Sequence, residues 1–248
     1  MSTRPSSEPE LVSVIRNEDG VGAVFSSAIR ITKRERIDLA ELGEDAGDLS
    51  KRFDELIGLK NRLVQMFNVL WVPHDGNYIE IRTDLPDGMP MDVAHAVQSK
   101  MRRTVNDFGK VSLDDPIDLF PLLESIYRTK GEGQVVELGF STTSASVKHE
   151  KMRKSGLDLR SEPYHLAGKE GLGTPIEPFR LSVIWYLPRD EHTAKPELSL
   201  VGTARGRTTA ANNAVAISGA IIRNCAGRGE YEYVIERIRH HLDRSKED

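Results

Sequence analysis

PELSLVGTARGRTTAANNAVAISGAIIRNC, residues 196–225, decides how the chain is read. Its first piece alternates, with Leu198, Leu200 and Gly202 against Ser199 and Val201, and suits a strand. Its last piece is dense in Ala214, Val215, Ile217, Ile221 and Ile222, which predicts a buried helix over 210–225. The loop between them holds Arg205, Gly206, Arg207, Thr208 and Thr209. A helix start exposes unpaired N–H groups, Thr208 or Thr209 is placed to cap it, and two arginines stand beside it. That makes an anion-binding corner. From Leu198 to Gly229 there is no acid but there are four arginines, at 205, 207, 223 and 228. The competing reading is a plain connector whose arginines pair with acids elsewhere, such as those of 38–48.

A strand joined to a helix at this point implies a mixed α+β fold, with a largely antiparallel sheet and helices packed on it. The alternating Leu181, Val183, Trp185 and Leu187 mark 179–187 as a strand. With 197–202 it forms an antiparallel pair, and the apolar run 134–140 joins the same sheet. Tyr231, Val234, Ile235, Ile238 and Leu242 fit one face of a closing helix over 230–242. Toward the N-terminus, a hairpin joins 11–17 to 21–31 through Glu18-Asp19-Gly20. Leucines at 49, 56, 63 and 70, seven apart, predict a long helix over 49–71 with Leu56, Leu63 and Phe67 buried. Its wide apolar face suits core packing or an intersubunit bundle rather than a two-stranded zipper. The acidic run 38–48 reads as a solvated connector, and 77–85 as a strand. A helix follows over 90–106, then a short one over 114–130 opened by Asp115 and Pro116. Pro163, Gly168, Gly171, Gly173 and Pro175 mark the stretch after Arg160 as loop. One domain is expected over 11–242, with a sub-boundary near 107–114 and tails at 1–10 and 243–248.

With 248 residues, 38% hydrophobic and 29% charged, the chain can bury a real core. The net charge of −4 excludes a generic polyanion binder, though local basic patches remain open to phosphates. Cys225 is the single cysteine, so no intrachain disulfide or cysteine zinc cluster can form. No apolar run reaches membrane length and no signal-peptide core opens the chain, so the expected address is the cytoplasm. No P-loop, no Glu-x-Lys metal site, no G-x-S-x-G elbow and no H-E-x-x-H pattern is present. No metal and no cofactor is therefore expected.

Two basic islands remain. The first holds Lys148, Lys151, Arg153, Lys154 and Arg160; the second holds Arg205 and Arg207 beside Thr208. Arginine forks suit phosphate oxygens. The expectation is a non-catalytic subunit of a larger assembly that binds nucleic acid or another phosphate-bearing partner. A second expectation is a metal-independent phosphoesterase or ribonuclease using His149, Arg160 and His165, because Arg160 and His165 stand as R-x-x-x-x-H. A third is a structural homo-oligomer or protein-partner subunit joined through the helix at 49–71.

Overall fold

The computed structural model describes residues 6–38, 47, 52–76, 78–109, 113, 116–154, 156–189, 191–212 and 214–247. Among these stand five α-helices and eleven strands in antiparallel sheets, an α+β fold. The chain divides into two compact units, Met1–Asp114 and Asp115–Asp248. Most of the acidic run 38–48 lies outside the described residues.

In the first unit, β1 (Glu10–Asn17), β2 (Gly20–Ile37), β3 (Leu56–Pro73) and β4 (Glu80–Arg82) form a meander in chain order. Asn17 Oδ1 accepts from the backbone N–H groups of Asp19 and Gly20 at 3.0 and 3.1 Å and closes the first turn. Gly20 is required there, because a Cβ would sit 2.5 Å from the Val72 carbonyl oxygen. β2 and β3 pair over all eighteen residues with no register shift, from Gly20–Pro73 to Ile37–Leu56. At about 3.4 Å per residue the ribbon is about 60 Å long. Helix α1 (Met91–Gly109) covers one face of its base, where Ile31, Met66, Met89 and Ala94 form a small core.

The helix expected over 49–71 is therefore a strand over the part that forms β3. An odd spacing explains the misreading. In a helix, residues seven apart share a face; in a strand they fall on opposite faces. Val64 and Met66 turn toward the α1 core, whereas Leu63 and Phe67 point the other way and are 58% and 49% exposed. The proposed oligomer contact through a helix at 49–71 loses its element. Leu63→Ala is expected to change stability by no more than about 0.5 kcal/mol, as surface positions do, against the 2–5 kcal/mol of a core leucine. Urea denaturation of the variant measures which.

The second unit is built on a five-stranded sheet of order β11-β10-β7-β5-β6: Ile221–Arg223, Glu197–Val201, Glu177–Ile184, Gln134–Ser141 and Val147–Lys151. A separate short pair, β8 (Leu187–Pro188) and β9 (Thr193–Ala194), lies between β7 and β10. Helices α2 (Pro121–Arg128) and α5 (Arg228–Glu247) pack against each other, and the core runs through Leu122, Ile126, Leu138, Leu181, Leu198 and Val234. The strands expected at 134–140, 179–187 and 197–202 share one antiparallel sheet, although β7 ends at Ile184 and Leu187 falls in the separate β8.

Three local expectations change. The helix over 210–225 shrinks to α4 (Gly206–Ala211). Asp118 Oδ1 captures the backbone N–H groups of Ala216 and Ile217 at 3.2 and 3.0 Å, and Ile221–Arg223 pairs with β10 as β11. The stretch after Arg160 is not all loop: a 3-10 turn at Leu159–Ser161 leads into α3 (Pro163–Leu172). Pro163 opens that helix at its first position, where a missing N–H costs nothing, and Glu162 caps it. The short helix expected from 114 begins at Pro121 for the same reason.

Candidate nucleic-acid interface

The first basic island lies on and just after β6, an edge strand of the second sheet. Register across β6, β5 and β7 sets His149, Lys151 and Arg180 around Glu137. Their nitrogens lie 2.9, 3.1 and 3.4 Å from its carboxylate. Burial works to raise the Glu137 carboxyl, but the hydrogen bonds from His149 and Lys151, with the Lys151 charge and Arg180, hold it below the ordinary carboxylate range.

Beyond Lys151 the chain rims an open cleft of about 470 Å³, bounded by Met152, Arg153, Lys154, Leu157 and Tyr164. Glu150 and Glu162 also line it, but both are committed to His165. Glu150 Oε2 accepts from His165 Nδ1 at 2.6 Å, and Glu162 accepts from the His165 backbone N–H at 2.7 Å. Arg153 and Lys154 are exposed and make no ion pair among the described residues, and nor does Lys148. Tyr164, 78% exposed, presents its ring at the rim.

The R-x-x-x-x-H pair is directed inward. His165 is 2% exposed; with Nδ1 donating to Glu150, its Nε2 accepts from the Tyr127 hydroxyl at 2.8 Å. The edges of Tyr127 and Phe140 close around its ring at about 6 Å. Arg160 donates to the carbonyl oxygens of Thr129, Glu132 and Gly133 at 2.7, 3.1 and 2.7 Å and pairs with Asp158 at 2.6 Å. That is an internal clamp on the turn after α2. The third member of the catalytic alternative, His149, is held by Glu137.

The second island is less open than its sequence implies. Gly202 lets β10 pass beside β7, since a Cβ there would meet the Phe179 carbonyl oxygen at 2.2 Å. Helix α4 starts at Gly206 and not near Thr209, with the Thr203 hydroxyl accepting from the Gly206 N–H at 3.2 Å. Arg207 pairs with Glu177 at 3.1 Å, an acid of β7 and not of the 38–48 run. Arg205 is exposed; the side chain of Thr208 lies outside the described residues.

Sequence reading missed one further cluster. Glu132, 5% exposed, accepts from Trp185 Nε1 at 3.0 Å and from Arg237 through Nε at 2.8 Å and a second guanidinium nitrogen. His241 Nε2 lies 3.3 Å from the same carboxylate without a well-directed hydrogen bond, and Nδ1 meets the Ser125 hydroxyl at 2.8 Å. The order serine, histidine, carboxylate is that of a nucleophilic triad. Here, however, Arg237 and Trp185 already occupy the carboxylate, and His241 is fully buried, so the cluster ties α2, α5 and the β5 approach together. Trp185 and the helix residues Arg237 and His241 lie far from Glu132 in the chain, so the cluster gives no local sequence signal.

Among the described residues no three His, Cys, Asp or Glu side chains stand where they could share a metal ion, and no helix is long and apolar enough to cross a membrane. The chain matches no protein-family model, no curated protein and no solved structure.

Proposed function

We infer that the chain is a non-catalytic nucleic-acid-binding module that holds a phosphate backbone at the cleft after β6. The observation that carries this reading is the cleft's composition. Its carboxylates are turned to His165, while Arg153 and Lys154 stand on the rim with no ion pair among the described residues, beside an exposed tyrosine ring. Cations that track a backbone, with an aromatic face on which a base can stack, are the two parts a single-strand site needs. Lys148 extends the positive edge along β6. The inward commitment of His165 and Arg160 gives no support to phosphodiester cleavage, because neither presents a proton or a charge to the cleft.

Fluorescence anisotropy with a labelled single-stranded 15-mer tests the reading. The Arg153→Ala/Lys154→Ala double variant is expected to lower the slope of log K against log salt by about 1.4, from about 0.7 per lost phosphate contact. Tyr164→Ala is expected to weaken binding by about 1–3 kcal/mol. Wild-type slope and affinity in both folded variants would remove the cleft from the interface.

A further inference from the structure

The distal part of the β2–β3 ribbon belongs to no sheet but its own. β1 pairs with β2 only as far as Ser26, and β4 pairs with β3 only over Val69–Trp71. Beyond Ile31 no ribbon residue is buried. A free two-stranded hairpin is marginal in water, yet this one keeps perfect register to Ile37–Leu56.

Its paired strands are mostly cationic. Between 30–37 and 56–63 stand Arg30, Lys33, Arg34, Arg36, Lys60 and Arg62 against the carboxylate of Glu35, with Asp38, Asp54 and Glu55 gathered at the ribbon's end. Among the described residues only Lys33 and Arg36 of these form ion pairs, with Glu35 at 3.4 Å and Glu55 at 3.3 Å. Register divides the cations between both faces. Lys33 lies directly opposite Lys60, and Arg62 follows on that face. On the other face Arg30, Arg34 and Arg36 lie opposite Leu63, Leu59 and Ile57, all three exposed. Directly opposed like charges destabilise a hairpin, and a polyanion removes that repulsion. The same charges repel a second copy of the ribbon.

We propose that this ribbon enters a groove of duplex DNA, which extends the nucleic-acid reading above and rests on it. A major groove about 12 Å wide admits a two-stranded ribbon. Cations on both faces reach the phosphates of both walls, and Leu59 and Leu63 meet thymine methyl groups and sugars between them.

Anisotropy with a labelled 30-bp duplex, on the full chain, tests the proposal. Arg34→Ala/Lys60→Ala/Arg62→Ala is expected to lower the salt slope by about 2.7, from about 0.9 per contact. Arg153→Ala/Lys154→Ala is expected to leave duplex affinity within about twofold. Wild-type duplex binding by the folded ribbon variant overturns the proposal. Binding of the single strand at the cleft with none to duplex overturns it alone and leaves the cleft reading standing. Binding to neither removes both. Light scattering that shows a dimer lost in the ribbon variant, with duplex affinity unchanged, overturns the proposal in favour of a self-association arm.

Discussion

Glu132→Gln is expected to destabilise the second unit by about 3–5 kcal/mol, the cost of breaking a buried ion pair from one side. Glutamine keeps the shape but leaves Arg237 facing a neutral amide, and the NH2 of that amide, a donor, faces the Trp185 N–H or the guanidinium. The acid limb of the stability profile should change as well. Burial alone would raise the Glu132 carboxyl. The His241 ring 3.3 Å away, the hydrogen bonds from Arg237 and Trp185, and the Arg237 charge bring it down instead from 4.5 to about 2. A carboxyl depressed by folding stabilises fully above its unfolded pKa and loses that contribution as the pH falls through its folded one. The wild type should thus lose about 3 kcal/mol between pH 4.5 and 2 through this group, and the glutamine variant should lack that component. Of the two tryptophans, Trp71 lies in the first unit and Trp185 in the second. Urea titration of a Trp71→Phe background followed at Trp185 therefore isolates the effect. A loss under about 1 kcal/mol, or an unchanged acid limb, contradicts the role given to the cluster.

Arg160→Ala should cost a similar amount, about 3–5 kcal/mol. Asp158 would lose its counter-charge, and the carbonyl oxygens of Thr129, Glu132 and Gly133 would lose their donors. Lysine should rescue little, because a single ammonium cannot span acceptors that a planar fork reaches together. At a temperature where the alanine variant remains folded, oligonucleotide affinity should match wild type. A stable variant with weakened binding would return Arg160 to the interface. Glu132 and Arg160 share one turn, so their combined cost should fall short of additivity.

The sequence told most where one periodicity had one meaning. The strand around Leu181 and Val183 is flanked on both sides within its sheet, and its alternating apolar residues Leu181, Val183 and Trp185 are all buried, as is Ser182 between the first two. The closing helix was equally plain, since Val234 and Ile238 keep a helical spacing and are both buried. The ribbon failed because a seven-residue leucine spacing is helical in phase but carries no strand phase at all. A better signal was present in Val64, Val69, Trp71 and Val72, which favour strands, and in Gly58, which disfavours a helix interior. Proline misled at 163, where it begins a helix. For the candidate site, the charge island around Lys151 to Lys154 was legible because it is contiguous. The separation of free cations from bound ones was not. Arg160 finds its acceptors some thirty residues upstream, from Ile126 to Gly133, and Glu137 collects His149, Lys151 and Arg180 only through the register of three strands.

The order in which strands meet also sets the order in which the chain can fold during synthesis. In the first unit every strand pairs with its immediate successor, and the covering helix follows directly. Such local closure is fast, and all of it is available once Gly109 has left the ribosome. In the second unit the central β7 waits for β10, and Glu132 waits for Arg237 and His241 more than a hundred residues later. Nascent chains cut before 237 should therefore carry a protease-resistant first unit joined to an unfolded second. The exposed core strands of that second unit are where a chaperone would act.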